Sequence, residues 1–137
     1  MFLKRLNEPS RLSFLSIATA LVDSDGFFSG EEQSLMNQYA QELGMETLSE
    51  VPTSVEVDRE IAHIADLTSL EEKRVVLIEL IALANADARF ASEEESLLKK
   101  VAQAFGVDLE EYHRCIELLD QYMTSCSALV NYIDGGL

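Results

Sequence analysis

The sequence has no tryptophan, only two cysteines and two prolines, and six glycines. Two cysteines cannot staple a small secreted scaffold, and so few prolines and glycines exclude a low-complexity chain. Positive charge is scarce as well: ten Lys and Arg stand against 25 Asp and Glu, a formal net charge of −15. Such a chain repels a phosphate backbone instead of releasing counterions from it, so nucleic-acid binding is not expected and docking on anionic membrane is disfavoured. The charge is compatible with cations, basic partners and simple solubility. No apolar run approaches the ~20 residues of a membrane span, and residues 1–10 lack the apolar core of a signal peptide. The expectation is a soluble cytoplasmic protein with no membrane insertion. Its 137 residues, 47% hydrophobic, suit one domain over 1–137 with a substantial core.

What the sequence does contain is a repeat. Sliding residues 20–45 by 62 positions onto 82–107 gives eleven identities without a gap, among them Asp25/Asp87, Phe28/Phe90, Glu31/Glu93, Glu32/Glu94, Leu35/Leu97 and Gly44/Gly106. Composition alone would not supply so many, so the domain is expected to be a duplicated unit, with repeat 1 at about 10–45 and repeat 2 at about 69–107. Each copy reads as an apolar helix, a short acidic turn and an amphipathic helix.

Residues 75–84 are apolar almost all round, broken only by Glu79, the pattern of a helix surrounded by others. Its counterpart, Leu12 to Val22, follows Pro9, a residue suited to a first helical turn. The second helices carry Leu35, Met36, Tyr39, Ala40, Leu43 and, in register, Leu97, Leu98, Val101, Ala102, Phe105, each set one apolar stripe. Gly44 and Gly106 stand where left-handed caps belong. Capping boxes are expected at Ser29 with Glu32, Ser69 with Glu72, Ser92 with Glu95, and Asp108 with Glu111. Between the copies, residues 45–53 have no helical period and contain Pro52, and a helix over about 54–67 follows. A last helix over about 109–133 presents Leu109, Tyr112, Ile116, Leu119, Met123 and Val130 as its apolar stripe. The fold class is therefore all-α, about six helices in two pseudo-repeated helix-turn-helix units.

The acidic turns are residues 23–32 and 85–94, and both place Phe three and Glu seven residues after an Asp. Hard cations need several oxygen ligands, and an EF-hand supplies them from a 12-residue loop with Gly sixth and Glu last. With Gly26 sixth, Glu32 is last, and Asp23, Asp25 and Ser29 fall third, fifth and ninth. The first position is Leu21, however, and the second copy has Leu83 there and Ala88 in place of the Gly, so neither turn is a competent EF-hand.

An apolar helix, Asp-Gly, then Ser and Glu opening a second helix, all given twice, resembles the TerB-like tellurite-resistance family. Met1-Phe2-Leu3, Leu6-Asn7 and the helix and turn over 12–26 resemble its short single-domain bacterial members. The resemblance covers roughly 12–107. It implies an all-helical fold, association with stress or tellurite-resistance systems, and a divalent-metal role for acids that fall on Asp25 and Glu32 in the first turn and on Asp87 and Glu94 in the second. Asp23 joins them as a candidate ligand from its place in the first turn. Ala88 departs from the family's second Asp-Gly and makes the second turn the weaker match.

A structural reading of the same acids stands beside the metal reading. Asp and Glu at helix N-termini are stabilised by free amides and the dipole, and an Asp after a helix can turn the chain by bonding its own backbone. Ser69/Glu72 and Asp108/Glu111 use the capping device outside the repeated turns. No catalytic set is evident. Glu60-x-x-His63 with Glu110-x-x-His113 has the spacing of di-iron bundles, but His63 and Glu110 fall opposite their helices' apolar stripes. Cys115 and Cys126 lie three turns apart, too far for a disulfide within one helix, and read as small core residues. The expected function is non-catalytic, with protein partners and a candidate divalent cation of unspecified identity, or else a metal-independent interaction domain. Phe27, Tyr122 and Tyr132 are candidates for exposed anchors.

Overall fold

In the computed structural model, residues 1–24, 29–86 and 92–136 are described. A short 3-10 turn at Leu3–Arg5 leads into α1 (Glu8–Asp23), α2 (Gly30–Leu43), α3 (Ser54–Leu67), α4 (Leu70–Ala84), α5 (Ser92–Ala104) and α6 (Leu109–Ile133). There is no strand among the described residues, so the fold is all-α as expected. The repeat is visible in the helix starts: Glu8 and Leu70, and Gly30 and Ser92, are each 62 residues apart.

Helix starts follow the local chemistry closely. The α1 start lies a little earlier than the repeat boundary expected from sequence, because the Asn7 side chain accepts from Ser10 N–H at 3.0 Å and Pro9 fits into the first turn. Reciprocal capping boxes open α2 at Ser29/Glu32 and α4 at Ser69/Glu72. A third opens α3 at Thr53/Glu56, a pair that carries the same pattern immediately after Pro52. At α6 the Asp108 carboxylate accepts from Glu111 N–H at 2.8 Å. The box expected at Ser92 is corrected: Ser92 is the first helical residue of α5, and its hydroxyl donates to Glu93 Oε2 at 3.3 Å. The repeat explains why, since Ser92 is the counterpart of Gly30, not of Ser29.

Two helix ends also repeat. Gly44 and Gly106 adopt φ of 71° and 74°, and the residues after them reach back, Met45 N–H to Ala40 O at 2.8 Å and Val107 N–H to Ala102 O at 2.9 Å. This is the left-handed cap that glycine adopts without a steric penalty.

The centre is shared by α1 and α4. Helix α1 packs on α2, α3, α4 and α5, while α4 packs on α1, α2, α5, α6 and the 3-10 turn. Phe14, Leu15, Ile17, Ala18 and Leu21 from α1 meet the core alongside Val76, Leu77, Leu80, Ile81 and Leu83 from α4. Helix α6 behaves differently along its length. Tyr112, Cys115 and Leu119 are buried, but Leu109, Met123 and Val130, expected on the buried stripe, are exposed. The body of the molecule stops covering the stripe beyond Leu119, and Leu109, in the first turn of the helix, is exposed as well. Cys115 is buried and Cys126 only half-buried, and both are free thiols.

Candidate functional site

Of the five acids singled out in the turns, Asp25 and Asp87 lie outside the described residues, as do Gly26, Phe27, Phe28 and Ala88. The other three are described. Asp23 is the last residue of α1 and is exposed, next to Ser24, whose hydroxyl donates to Leu21 O at 2.7 Å. Glu32 and Glu94 are both buried, with 2% and 1% of their surface exposed, while their neighbours Glu31 and Glu93 face solvent. Burial of Glu32 is compensated by reciprocal bonding: Ser29 N–H donates to Glu32 Oε1 at 3.1 Å, and Glu32 N–H donates to Ser29 Oγ at 3.0 Å. The capping glutamates elsewhere are wetter, since Glu56 is exposed and Glu72 and Glu111 are intermediate. Helix N-termini stabilise negative charge through their free amides, which is why these positions tolerate buried carboxylates at all.

The described ends of the two turns meet at two clefts. Asp23 and Ser24 at the end of α1 line one cleft of about 320 Å³ with Glu93, Ser96 and Lys100 of α5. Reciprocally, Gly30 and Glu31 at the start of α2 line a larger cleft, about 670 Å³, with Ala82 and Ala86 at the end of α4. Described residues from both turns thus line each cleft. Among the described residues, no group of three or more His, Cys, Asp or Glu side chains converges as a metal-binding set.

The larger cleft contains a buried carboxylate whose role is not evident from sequence. Glu79 on α4 is fully buried, and the Met1 ammonium donates both to Glu79 Oε2 and to Glu42 Oε2, each at 2.9 Å. Leu3 N–H donates to Glu42 Oε1 at 3.1 Å, so the 3-10 turn is held against α2 and α4 together. Glu79 Oε1 has no hydrogen-bond partner. Burial pushes the Glu79 carboxyl above its ordinary value, and the neighbouring ammonium acts in the opposite direction without cancelling it. Burial opposes the charge of the Met1 ammonium, but hydrogen bonds to Glu42 and Glu79 and the charges of both raise its pKa overall. The signal for Glu79 was present in the sequence as the one charged residue in an otherwise apolar helical run, but only the fold supplies its partner.

Other tempting groups are separated. His63 is exposed, with Nδ1 2.8 Å from Ser13 Oγ, and His113 is exposed against the edge of Tyr112, ring centroids 5.7 Å apart. Tyr122 and Tyr132 are exposed as candidate anchors, and Phe27 lies outside the described residues.

Residues 46–116 match the family model of the tellurite resistance protein TerB. The match spans more than half of the chain, and the protein belongs to the TerB family. It takes in α3, α4, the second acidic turn with Asp87 and Glu94, α5 and the beginning of α6. No curated protein and no solved structure matches the chain. No described helix is long and apolar enough to cross a membrane.

Proposed function

We propose that this TerB-family protein is a non-catalytic cytoplasmic module of a stress or tellurite-resistance system that holds a divalent cation at its acidic turns and acts through protein partners. The candidate ligands are Asp23, Asp25 and Glu32 from the first turn and Asp87 and Glu94 from the second. The observation that supports this reading is the burial of Glu32 and Glu94 at equivalent positions of the two repeats. Carboxylate oxygens are the ligand chemistry of calcium, magnesium and manganese. The opposing reading, a metal-independent interaction domain, is favoured by one specific fact: Ser29 already gives Glu32 a reciprocal capping role.

An amide-resolved NMR titration of chelator-treated protein with calcium, magnesium, zinc and manganese, at salt sufficient to screen diffuse charge, separates the two. The metal reading requires saturable shifts confined to residues 23–32 and 85–94, together with an ion-dependent rise in Tm that Asp25→Ala abolishes. Small shifts spread over every acidic surface would sink it and leave the interaction domain.

A further inference from the structure

Helix α6 carries an apolar seam longer than the body that covers it. Tyr112, Cys115, Leu119, Tyr122, Cys126, Leu129 and Ile133 follow one another at alternating intervals of three and four residues, the heptad spacing of a helix that packs along another helix. The first three are buried, with α4 the neighbouring helix. Beyond them the same face becomes progressively exposed: Tyr122, which borders the larger cleft, is 48% exposed, Leu129 63% and Ile133 76%, with Cys126 half-buried. From Gln121 to Ile133 there is no charged residue, in a chain whose net charge is −15. This arm is therefore the part of the surface where two like-charged molecules can approach with least repulsion.

We propose that the arm is a self-association surface, on which α6 of a second copy lies antiparallel. The seam is complementary to itself in that direction. Pairing Tyr122 with Ile133 of the second copy simultaneously pairs Cys126 with Leu129, so a small side chain meets a large one in each of the two central layers. The flanking charges agree. In the antiparallel register Asp120 falls opposite Gly135 and Asp134 opposite Gln121, whereas parallel pairing would set each Asp against its own copy. An arm of 13 residues is about 20 Å long, and antiparallel pairing puts the two acidic bodies at opposite ends of it, more than two Debye lengths (~8 Å) apart at physiological salt. The interface is two heptads long and small, so the association is expected to be reversible and concentration-dependent.

Light scattering coupled to size exclusion, run on the full chain from about 5 µM to about 300 µM, gives the mass directly. The expected mass rises toward twice the chain's 15.3 kDa. Leu129→Glu and Ile133→Glu, on the exposed seam, should each return it to the monomer value, and Asn131→Glu on the opposite face should not. A monomer throughout, or a dimer indifferent to both seam variants, would overturn the proposal. Orientation is read with Tyr122→Cys and Ile133→Cys, each in a Cys126→Ser background. Mild oxidation should link the two variants when mixed and neither one alone; self-linkage of either overturns the antiparallel register.

Discussion

Tyr39 on α2 donates its phenolic hydrogen to the main-chain oxygen of Glu79 on α4, 2.7 Å away, and both residues are buried. The bond ties the second helix of the first repeat to the first helix of the second repeat. The same ring meets Phe14 of α1 edge-on, with centroids 5.5 Å apart. Three helices thus converge on one aromatic side chain. Burial, with added repulsion from the Glu79 and Glu42 charges, holds its hydroxyl protonated well above the ordinary tyrosine value.

Tyr39→Phe keeps the ring and removes only the donor, so it isolates the hydrogen bond from the packing. The expected loss is about 1–2 kcal/mol, the ordinary worth of a buried hydrogen bond to a group that stays buried. Urea denaturation monitored by circular dichroism measures it, with the m-value unchanged. A midpoint equal to that of the parent would mean the bond contributes nothing net.

Tyr112 provides the opposite case. Its hydroxyl is buried without a hydrogen-bond partner, and burial first, then the charge of Glu95, pushes its pKa up to about 12. Tyr112→Phe is therefore expected to be neutral or stabilising at pH 7, in contrast to Tyr39→Phe. In the parent the unfolded state loses this proton near pH 10 and the folded state near 12, so the group's contribution to stability declines across that window. Denaturation at stepped pH values should show that decline diminished in Tyr112→Phe.

The Met1 ammonium has a raised pKa, above its ordinary 8.0. A raised folded value means that the stabilisation is fully present below pH 8 and is lost as pH climbs through the folded value. Tm at low salt should therefore fall on the alkaline side of pH 8, and Glu79→Gln, which removes one of the ammonium's two carboxylates, should flatten that fall. Glu79 itself acts at the acid end. Because its own value is raised, the cost of burying its charge is relieved as pH falls from the folded value to below the ordinary carboxylate range. Glu72, whose value is lowered chiefly by the Ser69 amide, works against this relief, since its stabilisation is lost on acidification. An alkaline slope in Glu79→Gln identical to that of the parent would remove the Met1–Glu79 pair from the account.

Gly44→Ala and Gly106→Ala test the repeat energetically. An added Cβ meets nothing within 4 Å at either position, so the penalty is purely that of φ 71° and 74°. Each should lose about 1 kcal/mol, and the double variant about the sum, because the sites share no partner. Chemical denaturation of the three variants provides the comparison; a cost confined to one glycine would show that the two copies no longer cap alike.

Much of the helical layout was legible in the sequence because its causes are local. Ser29/Glu32, Ser69/Glu72, Gly44 and Gly106 set helix limits through bonds made within a few residues, and α3 and α6 begin and end where periodicity and caps place them. The TerB likeness was legible for the same reason, as a short pattern given twice. The site was only partly legible. Asp23, Glu32 and Glu94 share one sequence pattern but differ in environment, Asp23 exposed and the two glutamates buried, and no spacing rule distinguishes them. Ser92 carries the Ser-x-x-Glu pattern of a cap, but the register of the repeat makes it the first residue of the helix, as Gly30 is in α2.

The sequence by itself determined the helix content, the duplication and the strongly acidic charge, since propensity, capping and periodicity are decided by neighbours along the chain. Only the tertiary structure decided which carboxylates lie beneath the surface, that Glu79 meets the Met1 ammonium, that the described ends of the two turns line common clefts, and that the seam of α6 outruns its own body. These depend on contacts between residues far apart in the chain, and a periodic apolar stripe is written identically whether a neighbouring helix covers it or solvent does.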